Sequence, residues 1–114
     1  MRVYKGIREA DGSARVVVAE PDKPERPLQP RTDLLQRCAT GLDWGYAGNG
    51  AAQCALALLA DALRDDLRAI RVHWGFHCRV VAALPRHLQW QLTHEQVVAS
   101  VQRIEANTVL ERSV

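Results

Sequence analysis

The residues that could support chemistry are concentrated in one stretch in the middle of the chain. A glycine-rich loop, residues 41–50, runs directly into an apolar segment, residues 51–63. Glycine lets a backbone approach a ligand closely, and the first free amides of a helix attract anions. A phosphate, a nucleotide or the carboxylate of a protein partner could therefore bind here. The predicted contact residues of this loop and helix start are Trp44, Tyr46, Gly48, Asn49, Gly50 and Gln53.

The same loop also has a purely structural interpretation. It lacks the Gly-Lys-Ser/Thr of a phosphate-binding P-loop, and no parallel strand precedes it as in a Rossmann fold. A tight turn that packs Trp44 and Tyr46 over the following helix accounts for the glycines without any ligand, and this is the more frequent outcome. At the level of sequence both interpretations stay open.

A row of arginines forms the second candidate surface. One side of the second predicted helix carries Arg64, Arg68, Arg71 and Arg79, with Arg86 just beyond, and no carboxylate interrupts the row after Asp66. Such a row could follow a nucleic-acid backbone or meet an acidic protein surface, whereas the ordinary explanation is a solvated helix face. The third predicted helix offers few base-reading side chains (Gln96, Gln102 and Arg103), so sequence-specific DNA recognition is not predicted.

Two histidines on the second helix have the spacing of metal ligands. His73 and His77 are four residues apart and therefore lie on the same side of the helix. No glutamate accompanies His73, and His77 falls on the apolar face, where a hydrogen-bonded core histidine is the commoner outcome. We therefore predict no metal and no other cofactor.

The polar groups near the predicted core do not form a catalytic pattern. These groups are Asp43, Cys54, Asp61, His73 and His77, and their spacing pairs no nucleophile with a base, which favours a non-enzymatic protein. Asp61 is unusual because it lies in a nearly apolar helix. If it is buried it needs a partner, which Arg64 on the next turn could supply.

The elements that must position these residues begin with a small β unit. Residues 3–8 and 14–19 flank Asp11-Gly12, which predicts an antiparallel hairpin whose second strand is the more buried. The connector that follows carries Pro21, Pro24, Pro27 and Pro30. Prolines so close together exclude both a helix and a central strand, so we expect an extended surface segment. Residues 33–38 are predicted to form a short helical turn.

Two long helices are predicted to follow the glycine loop. The first is apolar nearly all round and should be the buried centre of the protein, with Gly50 or Asn49 as its cap and Gln53 completing the cap. The second spans residues 65–83 and ends before Pro85. Its predicted apolar face consists of Leu67, Ile70, Trp74, Val81 and Leu84, broadened by Ala69, Phe76 and Val80.

The end of the chain is predicted to form a third helix. Residues 90–92 either add a strand or place Trp90 in the core. Thr93 and Gln96 have the spacing of a capping box. The apolar stripe of this helix is Val97, Val98, Val101, Ile104 and Leu110, and the helix is expected to fray after Asn107.

Length and pattern together define the fold class. A chain of 114 residues is long enough for one domain with one core. We predict an α+β protein in which an N-terminal antiparallel β-hairpin or small sheet packs on a three-helix core with a central buried helix. Residues 1–19 form the hairpin, 20–40 the proline-rich connector, and 41–107 the glycine loop and the three helices.

Composition narrows the partners and the cellular location to be expected for the protein. The formal net charge is only +2, which gives no general case for nucleic acid or membrane as a partner. No run of about 18 apolar residues is present, and no secretory signal is recognisable. Cys38, Cys54 and Cys78 contain no Cys-x-x-Cys pair, so we expect free thiols and a cytoplasmic location.

The glycine loop also carries a family resemblance. The motif is Trp44-Gly45-Tyr46-x-Gly48-x-Gly50-x-Ala52-Gln53-x-Ala55-Leu56-Ala57. It resembles a family of small bacterial and archaeal proteins known as domain of unknown function 6166. Further similarities are Tyr4-x-Gly6, the segment from Val80 to Pro85, and a tryptophan followed by Leu92-Thr93. The chain departs from the pattern at Ala47, Asn49 and Ala51. The resemblance implies a fold and an important region, but no activity.

The sequence therefore favours a small non-enzymatic interaction protein. Its contact surface would combine the glycine loop with the arginine row, and its partner would be another protein or, as a second choice, a nucleic-acid backbone. An accessory role on a mobile element, such as inhibition of a host complex, fits this description. The alternative is a nucleotide or phosphate binder, or an enzyme, that uses the loop as an anion cradle. An exposed edge on the hairpin would also allow pairing into a homodimer.

Overall fold

A four-stranded antiparallel sheet packs on three helices, as the α+β prediction states. The computed structural model describes the backbone of residues 1–112 and the side chains of residues 1–108. Within them, the strands are β1 (Val3–Arg8), β2 (Ala14–Ala19), β3 (Arg26–Pro27) and β4 (Trp90–Thr93), in the order β3-β2-β1-β4. The helices are α1 (Asn49–Leu63), α2 (Asp66–Arg79) and α3 (His94–Arg112), with a 3₁₀ turn at Val81–Ala83. None of these helices is long and apolar enough to cross a membrane.

The hairpin prediction is confirmed, but its edges are covered. Strands β1 and β2 pair from Val3↔Ala19 to Arg8↔Ala14, and the more buried strand is β2. The other edge of β1 pairs with β4, and that of β2 pairs with the two residues of β3. The hairpin edges are thus paired within the domain, β2 only at Val17 and Val18, and the homodimer stays a prediction.

The proline-rich connector is mostly exposed, as predicted, but it also contributes to the sheet and the core. Its residues Arg26 and Pro27 form the short edge strand β3, a place in a sheet where proline is tolerated. Leu28 is buried in the core directly after it. The helical turn expected at residues 33–38 is wrong: the chain makes a turn in which the Leu34 amide donates to the Arg31 carbonyl at 3.0 Å.

Helix α1 is the centre of the core, as its composition predicts. Every residue from Gly50 to Ala60 is buried, and Leu56, Leu58 and Leu59 are fully enclosed. The surrounding core includes Tyr4 and Val18 of the sheet, Phe76 of α2 and Val101 of α3. A helix that is apolar on all sides must be covered on all sides.

The predicted cap of α1 is wrong. The residue before the helix is Gly48, which has an extended backbone and makes no side-chain capping bond. Gln53 does not reach back to the helix start; it is fully buried and bonds to the connector instead.

The predicted apolar face of α2 is wrong at two positions. The other predicted residues are buried or pack against the core, namely Ala69, Ile70, Phe76, Val80, Val81 and Leu84. Leu67 and Trp74 are exposed, and the buried residues of this helix are Ala69, Val72, His73, Phe76 and His77. These positions follow the spacing i, i+3, i+4, i+7, i+8 of a true helix face. The two histidines belong to that buried face, although they are polar. A pattern of apolar residues alone therefore does not reveal it. The helix ends at Arg79, four residues earlier than predicted, and Val81 enters the core from the 3₁₀ turn.

Strand β4 fulfils both roles predicted for Trp90: it joins the sheet beside β1, and Trp90 is buried. Gly6 lies opposite Trp90, and a β-carbon added to Gly6 would stand 2.1 Å from the indole ring. Only glycine therefore leaves room for this tryptophan in the sheet.

The third helix begins and packs as predicted. Val97, Val101 and Ile104 are buried and Val98 is half-buried. The side chain of Leu110 lies outside the described residues. The helix continues to Arg112, beyond Asn107, where fraying was expected.

The capping box at the start of α3 is present as predicted. The backbone N–H of Gln96 donates to Thr93 Oγ1 at 3.1 Å, and the backbone N–H of Thr93 donates to the side-chain Oε1 of Gln96 at 2.8 Å. We expect Thr93→Ala to lower the free energy of unfolding by about 1 kcal/mol, because one amide loses its acceptor. Urea denaturation measures this loss. Thr108→Ala, which removes a hydroxyl bonded to the Ile104 carbonyl inside the same helix, is the control and should change little.

Candidate functional site

Asp43 organises the glycine loop. Its carboxylate accepts hydrogen bonds from the Arg8 guanidinium at 2.8 Å, the Trp44 amide at 2.9 Å and the Tyr46 hydroxyl at 3.2 Å. Burial acts to raise the pKa of Asp43, but these donors outweigh burial and hold the pKa below its ordinary value. The carboxylate is therefore ionised at neutral pH and ties the loop to the hairpin.

Trp44, a predicted contact residue, is fully buried. Its indole nitrogen donates to the Pro85 carbonyl at 3.1 Å, and its ring meets Trp90 edge to face at 5.4 Å between centroids. The Arg8 guanidinium stacks on the ring at 4.6 Å. Trp44 therefore anchors the loop in the core and presents no surface to a partner.

The remaining loop residues form a compact turn. Gly45 has φ +85°, and its amide donates to the Val81 carbonyl at 3.0 Å. Tyr46 packs so tightly on Gly48 that an added β-carbon there would lie 2.6 Å from the ring. The Arg86 guanidinium stacks on the Tyr46 ring at 4.9 Å. These contacts correspond to the structural interpretation of the glycines.

One amide of the predicted anion cradle is already used within the protein, since the Gly48 amide donates to His77 Nε2 at 3.1 Å. Gly50 and Ala51 are buried, and Asp43 and Tyr46 lie about 3 Å from where a Gly50 β-carbon would stand. Asp43 is thus in contact with Gly50, and the negative charge of its carboxylate disfavours an anion there. Asn49 and Ala47 are the exposed residues of the loop tip.

Gln53, a predicted contact residue, ties the connector to α1. Its Oε1 accepts from the amides of Arg37 at 2.7 Å and Cys38 at 3.1 Å. Its Nε2 donates to the carbonyls of Pro30 at 2.6 Å and Leu35 at 3.2 Å. All four hydrogen-bonding positions of the amide are thus used within the protein.

The two histidines also bond within the protein. His77 Nε2 accepts from the Gly48 amide at 3.1 Å, and His73 Nε2 accepts from Arg37 Nε at 3.2 Å. Burial, helped by the charge of Arg37, lowers the pKa of both imidazoles. They are therefore neutral at pH 7, as these acceptor roles require. In residues 1–108 no group of three or more potential metal ligands comes together.

The arginine row is only partly free. Arg68 forms a bidentate pair with Glu105 of α3, at 2.7 and 2.9 Å. Arg64 follows α1 in a left-handed conformation, with φ 51°, and is exposed. Arg71 and Arg79 are exposed and form no ion pair with any carboxylate of residues 1–108. The structure thus divides the predicted row into one packing residue and three surface residues.

Asp61 has partners, but Arg64 is not one of them. Its carboxylate accepts from the Tyr4 hydroxyl at 2.8 Å, Arg2 at 3.1 Å and Arg26 at 2.9 Å. Burial acts to raise the pKa of Asp61, but these donors outweigh it and the pKa lies below its ordinary value. Asp61 therefore joins α1 to the sheet and is a structural residue.

A surface on α2 was missed by the sequence analysis. The residues Leu67, Arg71, Trp74 and Cys78, at spacings of four, three and four, share the exposed side of this helix, and we call this surface the Trp74 face. Leu67 is 74% exposed and Trp74 is 50% exposed. The signal was available, because these positions lie opposite a buried face that includes both histidines. Assigning Leu67 and Trp74 to the core concealed it.

Trp74 is held in place and adjoins the glycine loop. Its ring meets the imidazole of His77 edge to face at 4.7 Å, and His77 in turn holds the Gly48 amide. The Arg37 guanidinium lies over the indole ring at 5.2 Å. The Trp74 face and the loop are therefore one continuous region of the protein.

A cleft of about 340 Å³ opens on another side of the glycine loop, beside the hairpin turn, and Cys38, Thr40, Asp43 and Tyr46 contribute to its lining. The Cys38 thiol lies 3.3 Å from the Thr40 hydroxyl, a contact that lowers the pKa of the thiol. By contrast, burial raises the pKa of the Cys54 thiol in α1 to about 12. Cys54, a candidate for catalysis by sequence, is therefore a core residue.

These features define a class of protein: a small α+β domain whose central helix is enclosed by a sheet and two helices. The glycine loop leads into this helix and is fixed by hydrogen bonds to the rest of the domain. The chain belongs to DUF6166, a family of unknown function, whose model matches residues 4–103. No curated protein and no solved structure matches the chain. Because the family has no known activity, function must be argued from the surface of this molecule.

Proposed function

We propose that this protein is a non-enzymatic binding module that contacts a protein partner through the Trp74 face and the adjoining loop tip. The observation that carries the proposal is the exposure of Trp74 and Leu67 on one side of α2. Tryptophan and arginine are the residues most enriched among those that dominate protein–protein binding energy. Here the Arg37 guanidinium lies over the exposed tryptophan, and Arg71 stands three residues before it on the same side of α2.

The fixed position of Trp74 supports a role in binding. A side chain that is already ordered loses little conformational entropy when a partner covers it. The contacts with His77 and Arg37 supply this order before any partner arrives. An accessory protein of a mobile element that inhibits a host complex would need such a surface, and this role is part of the proposal.

The phosphate-cradle alternative has less support. Gly50 is buried beside the ionised Asp43, whose charge repels a phosphate, and the Gly48 amide is already bonded to His77. No contact in the described residues favours a nucleotide over a protein at this position.

The proposal predicts the outcome of affinity capture from native lysate. The wild-type chain should retain a specific protein partner, and Trp74→Ala should reduce its recovery at least tenfold, since a central tryptophan contributes about 2 kcal/mol or more. Leu88→Ala is the matched control, because Leu88 is 66% exposed and belongs to the segment between the 3₁₀ turn and β4 rather than to α2. Recovery is measured by quantitative mass spectrometry. Equal recovery by the wild-type and Trp74→Ala chains would refute the Trp74 face as the contact surface.

A further inference from the structure

Resting on the proposed function, we infer that the partner presents an acidic amphipathic helix to the Trp74 face. Two independent features lead to this inference: the spacing of the apolar residues along α2, and the distribution of charge around them.

The spacing matches a helix lying alongside α2. Leu67 and Trp74 are seven residues apart, which places them about 10 Å apart along the helix axis at 1.5 Å per residue. They share one side of the helix, with Arg71 between them. Residues at this spacing act as anchors when one helix packs along another, because both partners then repeat their side chains every two turns.

The charge around the apolar pair is positive toward its Trp74 end. Arg37 lies over Trp74, and Arg71 projects from the same exposed side of α2 without a carboxylate partner in residues 1–108. Glu105 of α3 forms its ion pair with Arg68 at 2.7 Å, and its attraction to Arg71 is weaker than that to Arg68. A partner that places carboxylates opposite Arg37 and Arg71 gains attraction, and a basic partner is repelled.

The charge at the Leu67 end differs, and this favours a helix over a nucleic acid. Asp65 and Asp66 stand at the start of α2, where Asp65 caps the helix and Asp66 pairs with Arg31 at 3.1 Å. A nucleic-acid strand carries a negatively charged phosphate at every nucleotide, and some of these phosphates would be repelled by the two carboxylates. A protein helix can place its acidic residues at one end and a neutral, apolar turn at the other.

The chain offers its own probe for a test. Of its three tryptophans, Trp44 is fully buried and Trp90 is 6% exposed, whereas Trp74 is half exposed. Quenching of tryptophan fluorescence by acrylamide therefore reports chiefly on Trp74. A ligand that covers the Trp74 face should protect the emission from quenching. A Trp74→Phe chain measures the background emission of the two buried tryptophans.

The experiment titrates the full chain with three synthetic peptides that contain the same apolar residues and, in a separate series, with an oligothymidylate. The first has an unbroken leucine stripe flanked by glutamates, the second has the same stripe flanked by lysines, and the third is a scrambled version of the first. The glutamate peptide should protect Trp74 at a concentration at least tenfold lower than the other two. Arg71→Glu should abolish this preference and favour the lysine peptide, while Arg15→Glu, the same charge change on β2, should leave it intact.

Three results would overturn the inference. These are equal binding of the glutamate and lysine peptides, equal binding of the scrambled peptide, and stronger protection by an oligothymidylate than by the glutamate peptide. The last result would assign the face to single-stranded nucleic acid, because proteins that bind single strands also use aromatic and cationic side chains. If the peptides fail while Trp74-dependent capture from lysate succeeds, the acidic helix is wrong and the protein-binding function stands. If capture also fails, both are wrong.

Discussion

Replacing Asp61 with asparagine is expected to lower the free energy of unfolding by about 3 kcal/mol, because it removes one side of a partly buried ion network. The Asp61 side chain is only 17% exposed and compensates Arg2 and Arg26 while accepting from the Tyr4 hydroxyl. An asparagine has a similar shape, but it carries no charge and turns an N–H donor toward donors. Urea denaturation followed by far-ultraviolet circular dichroism measures the loss.

Two variants serve as controls for Asp61→Asn. Asp66→Asn removes a surface pair with Arg31, and such pairs contribute less than about 1 kcal/mol. Arg64→Ala removes the partner that the sequence suggested and should change stability by no more than about 0.5 kcal/mol, as for an ordinary surface substitution. A loss in Arg64→Ala as large as that in Asp61→Asn would show that Arg64, and not the sheet, stabilises the carboxylate.

The same network predicts how stability depends on pH. The pKa of Asp61 in the folded protein lies below its ordinary value, because the donors of Tyr4 and Arg26 outweigh the opposing effect of burial. A lowered pKa means that the stabilisation is complete above the unfolded-state pKa of about 3.9 and is lost as the pH falls further through the folded-state value. The difference in stability between wild type and Asp61→Asn should therefore be constant from neutral pH to about pH 5 and shrink in stronger acid.

Replacing Gln53 with alanine is the second substitution with a large expected effect, a loss of about 2–3 kcal/mol. Gln53 is fully buried and its amide bonds to four backbone groups of residues 30–38. Alanine would leave two carbonyls and two amides without these partners, together with a cavity beside α1. We expect a lower urea midpoint and faster proteolysis within residues 30–38, because this segment loses its attachment to the helix.

Gln53→Glu and Gln102→Ala make this prediction specific. Glutamate keeps the acceptor for the Arg37 and Cys38 amides, but it sets a carboxylate oxygen against the Pro30 and Leu35 carbonyls. It should therefore destabilise the protein nearly as much as alanine does. Gln102 is an exposed glutamine on α3, and its replacement with alanine should be neutral. If Gln53→Ala were also neutral, the connector would be held by its other contacts, such as buried Leu28.

Features set by neighbouring residues were predictable. The Asp11-Gly12 turn specifies the hairpin, and the Thr93–Gln96 capping box specifies the start of α3, because both depend on hydrogen bonds between residues a few positions apart. The burial of α1 was equally predictable, since a helix that is apolar on every side has no side to present to water.

Features set by distant contacts were not predictable. Asp61 bonds to residues 35 to 59 positions away, and Gln53 bonds to a connector 15 to 23 positions away. Spacing along the chain suggested Arg64 for the first and a helix cap for the second, because local partners are the only ones that a linear pattern can propose. Several groups can satisfy a buried polar side chain, and the packing of the sheet on α1 selects among them.

The orientation of α2 shows the same division most clearly. Its sequence determined that a helix forms here, although not that it ends at Arg79. The sequence offered two competing apolar stripes, one with Leu67 and Trp74 and the other with Ala69, Val72 and Phe76. The tertiary structure decided which stripe is buried. Neutral His73 and His77 find hydrogen bonds at the connector and the glycine loop only when the second stripe faces α1, and Trp74 is then left on the surface.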